Sequence, residues 1–207
     1  MKNFLSALVL IAALPFSLSA QSSSEADEWL ARAAARFGDK GVEIHFTINE
    51  ENAKIMGKLM MQDGRFFFDT NEMKVWFDGK TQWTLQSSPN EYTEVYIAEP
   101  SPSDQQSINP YVLLSNYKNH FMALMGAQAK GSQEIILKAS DKKQELKSIR
   151  IYLKDNGEIR DLRLIFPDER EYNIHIRTFH NGLTIPSSTF VIPSPKINEA
   201  NEVIDMR

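Results

Sequence analysis

Four histidines and 27 carboxylates are the side chains of this 207-residue chain with most scope for chemistry, and it has no cysteine. A histidine beside an acid could move protons, a carboxylate pair could cleave a glycosidic bond, and a histidine–acid cluster could hold a metal. The spacing favours none of these. His45 alternates against Val42, Ile44 and Phe46, and His175 against Ile174 and Ile176, so both are expected on the solvent side of a strand. His120 falls in a short helical segment, at a rim. No histidine pair has ligand spacing with a nearby carboxylate, so no metal is expected. Asp168-Glu169 with Glu171 reads as a solvated hairpin tip. Acids distant in the chain can still meet in a glycosidase cleft. A buried acid cluster, or a histidine–acid pair inside the cleft, would therefore signal a hydrolase.

The nucleophile and nucleotide motifs are missing too. There is no G-x-S-x-G, H-E-x-x-H or G-x-G-x-x-G. Gly79-Lys80-Thr81 resembles the tail of a phosphate-binding loop, but Lys74 stands where the first glycine belongs, and the segment enters a strand, not a helix. No catalytic residue and no cofactor is expected, and the chain is read as a non-enzyme. A net charge of −4 argues against nucleic acid as a partner, because phosphate contacts need clustered Lys and Arg.

What stands out is apolar surface: 12 Phe, 6 Tyr, 3 Trp and 8 Met. Phe66-Phe67-Phe68 places rings on both faces of one strand, and Val75-Trp76-Phe77 does the same beside it. Met56, Met60 and Met61 also occupy both faces of theirs. Either helices and loops cover both faces, or one face lines an apolar ligand cavity. Alternation offers Phe46, Leu59, Met61, Phe66, Phe68, Val75, Phe77, Trp83 and Leu85 as lining residues, and a one-residue register error flips every member of a strand.

The elements that would position them follow from periodicity. Ala26, Trp29, Leu30, Ala33, Ala34 and Phe37 recur at helical spacing, which predicts an amphipathic helix over Glu25 to Phe37, capped by Ser24 and closed by Gly38. The period then drops to two. Strands are predicted over 42–48, 55–62, 66–68, 73–77, 81–86 and 92–97, with Asp63-Gly64 and Asp78-Gly79 as hairpin turns. A proline-rich linker spans Glu99 to Pro110. Short helices follow at Tyr111 to Leu114 and within Asn116 to Met125. Strands resume over 134–138, 146–154, 158–166 and 171–179, with Asn156-Gly157 as a turn and a short last strand at Thr189 to Ile192. The expected fold is mainly β: an incomplete, strongly curved antiparallel barrel of about ten to eleven strands, its concave face covered by the N-terminal helix and short central helices.

Residues 1–20 read as an export signal: Lys2, an apolar run from Phe4 to Leu18, then Ser17-Leu18-Ser19-Ala20. Cleavage after Ala20 would leave one domain, residues 21–207, with no integral membrane segment and a periplasmic location. A monomer is expected.

The segment Val75 to Trp83, with its Asp78-Gly79-Lys80-Thr81-Gln82-Trp83 hairpin, followed by Tyr92-Thr93-Glu94-Val95, resembles the periplasmic outer-membrane lipoprotein carrier family LolA. Gly57-Lys58-Leu59-Met60 before Phe66 to Phe68, Asn109-Pro110-Tyr111-Val112-Leu113-Leu114, Asn156-Gly157-Glu158-Ile159 and Phe190-Val191-Ile192-Pro193 are similar to further segments of that family, in the same order. The resemblance implies a carrier that shelters lipoprotein acyl chains in an apolar cavity under a helical lid, taking them from an inner-membrane exporter to an outer-membrane acceptor. The family's lysine-arginine-proline-like turn is replaced by Gln62-Asp63-Gly64-Arg65, so its lid-holding arginine is not assigned to Arg65. The alternative is a non-catalytic lipid- or protein-binding module or sensor of the same fold.

Overall fold

The computed structural model describes residues 18–37, 40–49, 53–87, 92–100, 110–129, 131–141 and 144–207. Helix α1 (Leu18–Ala35) precedes six strands, β1 (Gly41–Asn49), β2 (Lys54–Gln62), β3 (Arg65–Thr70), β4 (Met73–Phe77), β5 (Gln82–Ser87) and β6 (Thr93–Ala98). Helix α2 (Pro110–Asn116) and a 3-10 turn (Tyr117–Asn119) lead into β7 (Phe121–Ala129), β8 (Ser132–Ala139), β9 (Ser148–Lys154), β10 (Ile159–Ile165) and β11 (Glu171–Leu183). A second 3-10 turn (Ser187–Phe190), α3 (Ser194–Asn198) and β12 (Glu202–Asp205) end the chain.

The strands form one open sheet in the order β12-β6-β5-β4-β3-β2-β1-β11-β10-β9-β8-β7, antiparallel throughout except where β12 runs parallel to β6. Of the eleven strands read from the sequence, the last is a 3-10 turn, while β7 and β12 are additional. Of the helical stretch expected within Asn116 to Met125, Phe121 to Met125 is instead the start of β7: Ala, Leu and Met have the propensity for helix, but edge pairing with β8 decides the outcome. Helix α1 starts earlier than expected, so Ser24 lies inside it instead of capping it, and the helix runs through Ala20. Gly38 and most of the Glu99 to Pro110 linker lie outside the described residues. The hairpin turns are where they were read, with Asp63 (φ 53°) and Gly64 (φ 74°) both left-handed.

Two clusters fill the two faces. The concave face carries a large core that takes in Val42, Leu59, Phe66, Val75, Ile135 and Ile151, with Ala26, Leu30, Ala33 and Phe37 of α1 packed into it. The convex face of β4 to β6 carries a smaller one, in which Trp76, Leu85, Val95 and Ile97 meet Ile192, with Phe67, Trp83 and Ile197 at its edge. The C-terminal segment is therefore the cover for the outward aromatics. Phe190 anchors it, wholly buried, with the Arg65 guanidinium 5.1 Å from its ring centre. Arg65 also bonds Asp63 at 2.9 Å, so it holds the C-terminal segment and its own turn.

Candidate functional site

The concave residues stack in rows set by strand register. Val42, Met61, Phe66 and Phe77 pair across β1 to β4 in one row, and Ile44, Leu59, Phe68 and Val75 in the next. The first row is packed solid at one end of the half-barrel, where Phe66 and Phe77 lie 5.4 Å apart, centre to centre. Nearer the other end the walls diverge around a cavity of about 310 Å³. Ile44, Phe46 and Ile48 of β1, Leu59, Phe68 and Met73 form one wall, and Ile149 of β9, Leu162 and Leu164 of β10, and Ile174 and Ile176 of β11 form the other. Leu113 of α2 and Leu146 border it, with Phe166 and Tyr172.

Two bulges explain wall residues that simple alternation would misplace. On β11, Phe46 pairs with Ile176 and His45 with Thr178, so Arg177 is extra, and the inward phase passes from Ile176 to Phe179. On β10, Arg160 is extra, and Ile159 and Leu162 both face the cavity. Bulges also increase local bend and twist, which helps this sheet to curl.

Of the nine residues offered from alternation, Phe46, Leu59 and Phe68 line the cavity. Met61, Phe66, Val75 and Phe77 belong to the same core but fill its packed end. Trp83 and Leu85 are a correction: they lie with the convex cluster. Trp83 pairs with Trp76, and Thr84 with Val75, so β5 turns its polar Thr84 inward and its apolar residues toward the C-terminal segment. Neighbouring hydrophobicity cannot reveal this, because a remote chain segment supplies the cover. The wall residues of β10 and β11 went unselected; their signal was the alternating run Leu162, Leu164 and, after the turn, Tyr172, Ile174, Ile176.

Helix α1, packed into the concave core, is held by polar contacts at its middle and just beyond its C-terminal end. Asp27 accepts from the Tyr117 hydroxyl and, at 2.7 Å, from Lys118 Nζ. Burial would raise the Asp27 pKa, but the Lys118 and Tyr117 bonds outweigh it and hold it below the usual value. Burial, and then the bond to Asp27, pushes the Tyr117 phenol well up. At the far end Arg36 Nη2 bonds Glu158 at 2.9 Å.

The titratable groups with chemical scope are elsewhere. His175 Nδ1 lies 2.7 Å from Asp161, and His45 Nε2 2.9 Å from Glu43, both pairs on the convex side of the sheet. His120 meets Gln144 at 3.1 Å. Glu134 is largely buried across from the cavity and binds Arg150 and Tyr152, each at 3.0 Å, and the Ala127 amide at 3.1 Å. Among the described residues the cavity wall carries no carboxylate and no histidine. No group of three or more His, Asp or Glu among them could hold a metal ion. What the arrangement can do is take apolar matter out of water.

No helix of the described residues is long and apolar enough to cross a membrane. No curated protein matches the chain. Among solved structures it is similar to a chain of the Pseudomonas aeruginosa MucA/MucB complex, at 10% identity and TM-score 0.44, covering 82% of this chain and 62% of that one. It is similar to MucB alone at 13% identity and TM-score 0.49, covering 83% and 64%. It thus spans less than two thirds of those relatives. A LolA superfamily protein of Nitrosomonas europaea is similar at 10% identity and TM-score 0.43, covering 81% and 97%. The family model for the outer membrane lipoprotein carrier protein LolA matches residues 16–157, more than half of the sequence, and the chain belongs to that family.

Proposed function

We propose that this protein is a periplasmic carrier that shelters lipoprotein acyl chains in the concave cavity while they pass between inner and outer membrane. Residues 1–20 would direct its export. The observation that carries the proposal is the cavity wall, which is hydrocarbon, aromatic ring and thioether apart from one phenol. Each methylene withdrawn from water contributes roughly 0.8 kcal/mol, so one sixteen-carbon chain represents about 12 kcal/mol and does not cross water unshielded. The void lies near the low end of ligand-pocket sizes, roughly 300–1,000 Å³. It suits one chain with the cover closed, and a cargo with several chains requires α1 and α2 to move. The inner-membrane exporter and outer-membrane acceptor are the partners this reading requires.

The test is mass spectrometry of the protein purified from the periplasm of cells that make lipoproteins. Acylated peptides or lipids that co-purify in stoichiometric amount support the carrier. An apolar-ligand-free protein that captures no acyl probe overturns it and leaves a protein-binding module of the same fold.

A further inference from the structure

Tyr172 carries the sole nitrogen or oxygen among the side chains that line the cavity within the described residues. It stands at a boundary. The same residue borders a polar cleft of about 710 Å³ formed by Asn49 and the 168–173 hairpin. Tyr172 is the second residue of β11, and its neighbour Ile174 pairs with Ile48 near the end of β1, the end away from the packed Phe66–Phe77 row. The cavity therefore has a hydrocarbon floor at one end and a single hydroxyl at the other, where water begins. Phe166 meets the Tyr172 ring edge-on at 5.4 Å and fixes its plane.

The cations beside this mouth each face a carboxylate, and Arg170 also bonds the Tyr172 side chain, which leaves the phenol O–H free to donate. Arg170 bonds Asp168 at 2.6 Å, and Lys147 bonds Glu169 at 2.5 Å. An anionic head such as a phosphate or a free carboxylate would meet the carboxylates of Asp168, Glu169 and Glu171 beside those cations. A neutral carbonyl needs only a donor, and a phenol O–H is one.

Building on the acyl-carrier reading, we infer that Tyr172 orients the ligand: the chain lies with its tail toward the Phe66–Phe77 end and its linking ester or amide carbonyl accepting a hydrogen bond from the Tyr172 hydroxyl. The ligand class is a neutral acyl ester or amide, and lipid-modified polypeptide and neutral glyceride share that chemistry. Tyr172 is thus a positioning and selectivity residue, and the hydrocarbon wall supplies most of the affinity.

The experiment compares a long-chain fatty acid methyl ester, the free acid, and the alkane of equal length, binding to wild type and to Tyr172→Phe. The variant keeps the ring and its contact with Phe166. The expected result is a loss of roughly two- to tenfold in ester affinity with alkane affinity unchanged, weaker binding of the acid than of the ester at neutral pH, and a bound-ester carbonyl stretch at lower frequency in wild type than in the variant. Equal effects on ester and alkane, or no effect on either, overturn the role of Tyr172 while the acyl cavity stands. Failure of wild type to bind any of the three overturns both readings. An acylated peptide and a diacylglycerol, run in the same assay, separate the two sources of the carbonyl.

Discussion

The ring of Phe46 lies on Gly57 of the neighbouring strand, so close that a Cβ there would sit 2.5 Å from Phe46 Cε2 and 3.1 Å from the Asp69 carbonyl oxygen. Phe46 also stacks on Phe68 at 5.5 Å, and both line the cavity. The glycine lets a large ring lie flat against the sheet, which leaves the space above it empty. Gly57→Ala pushes the ring toward that space, where movement meets little resistance. The expected outcome is reduced acyl-probe capacity with stability lowered by about 1–3 kcal/mol, the usual cost of overpacking. A titration with an environment-sensitive acyl probe, alongside urea unfolding, checks both numbers.

Asp27 ties α1 to the turn after α2 through Tyr117 and Lys118. Its pKa is depressed below 3.8, so the contribution is present above that value and is lost as pH falls through the lower, folded value. Asp27→Asn weakens the tie at neutral pH by about 1 kcal/mol, after allowing for its partial exposure. Probe release should quicken several-fold, and amide exchange in α2 should rise. Stopped-flow displacement and hydrogen exchange measure these.

Glu134 answers to pH in the same sense, on the other side of the sheet. Burial raises its pKa, but the Ala127 amide, Tyr152 and Arg150 together bring it below 4.5. It contributes stability above 4.5 that disappears as pH falls through the folded value. Glu134→Gln should lower stability at pH 7 by about 1–3 kcal/mol and remove this group's share of the acid-side decline. Urea unfolding of wild type and variant at a series of pH values shows whether the two curves converge in acid, as expected.

Ile192 covers Trp76 from the convex side, each about 95% buried. Ile192→Ala is expected to cost about 2–4 kcal/mol and to shift tryptophan emission to the red. Acyl uptake under folding conditions should be unchanged, because this cluster faces away from the cavity. Emission spectra and probe titration of one sample separate the two effects.

Much of the architecture was legible because it is written in local rules. The alternation of Val42, Ile44, Phe46 and Ile48 gave the concave face of β1 directly, and Asp63-Gly64 and Asn156-Gly157 marked their hairpins, with positive φ at Asp63, Gly64 and Gly157. Half of the ambiguity over aromatics on both faces resolved in each direction: Phe68 lines a cavity, and Phe67 lies toward a covering segment. What was not legible depends on remote partners. Trp83 and Leu85 face outward because Ile192 and Ile197 arrive from the far end of the chain. The opposite cavity wall depends on Arg177 and Arg160 each occupying a bulge, and no local residue signal distinguishes a bulge from a continued strand. Strand β7 overrides its helical composition by pairing with β8.

Ile174 and His175 are adjacent on β11 and face opposite sides of the sheet, Ile174 into the cavity and His175 toward Asp161. The most direct test of an acyl cavity is therefore a binding isotherm for a long-chain acyl probe on wild type, Ile174→Glu and His175→Gln. The account predicts saturable binding by wild type, a loss of roughly tenfold or more in Ile174→Glu because a charge enters a hydrocarbon wall, and unchanged affinity in His175→Gln. No saturable binding by folded wild type, or equal losses in both variants, would contradict it.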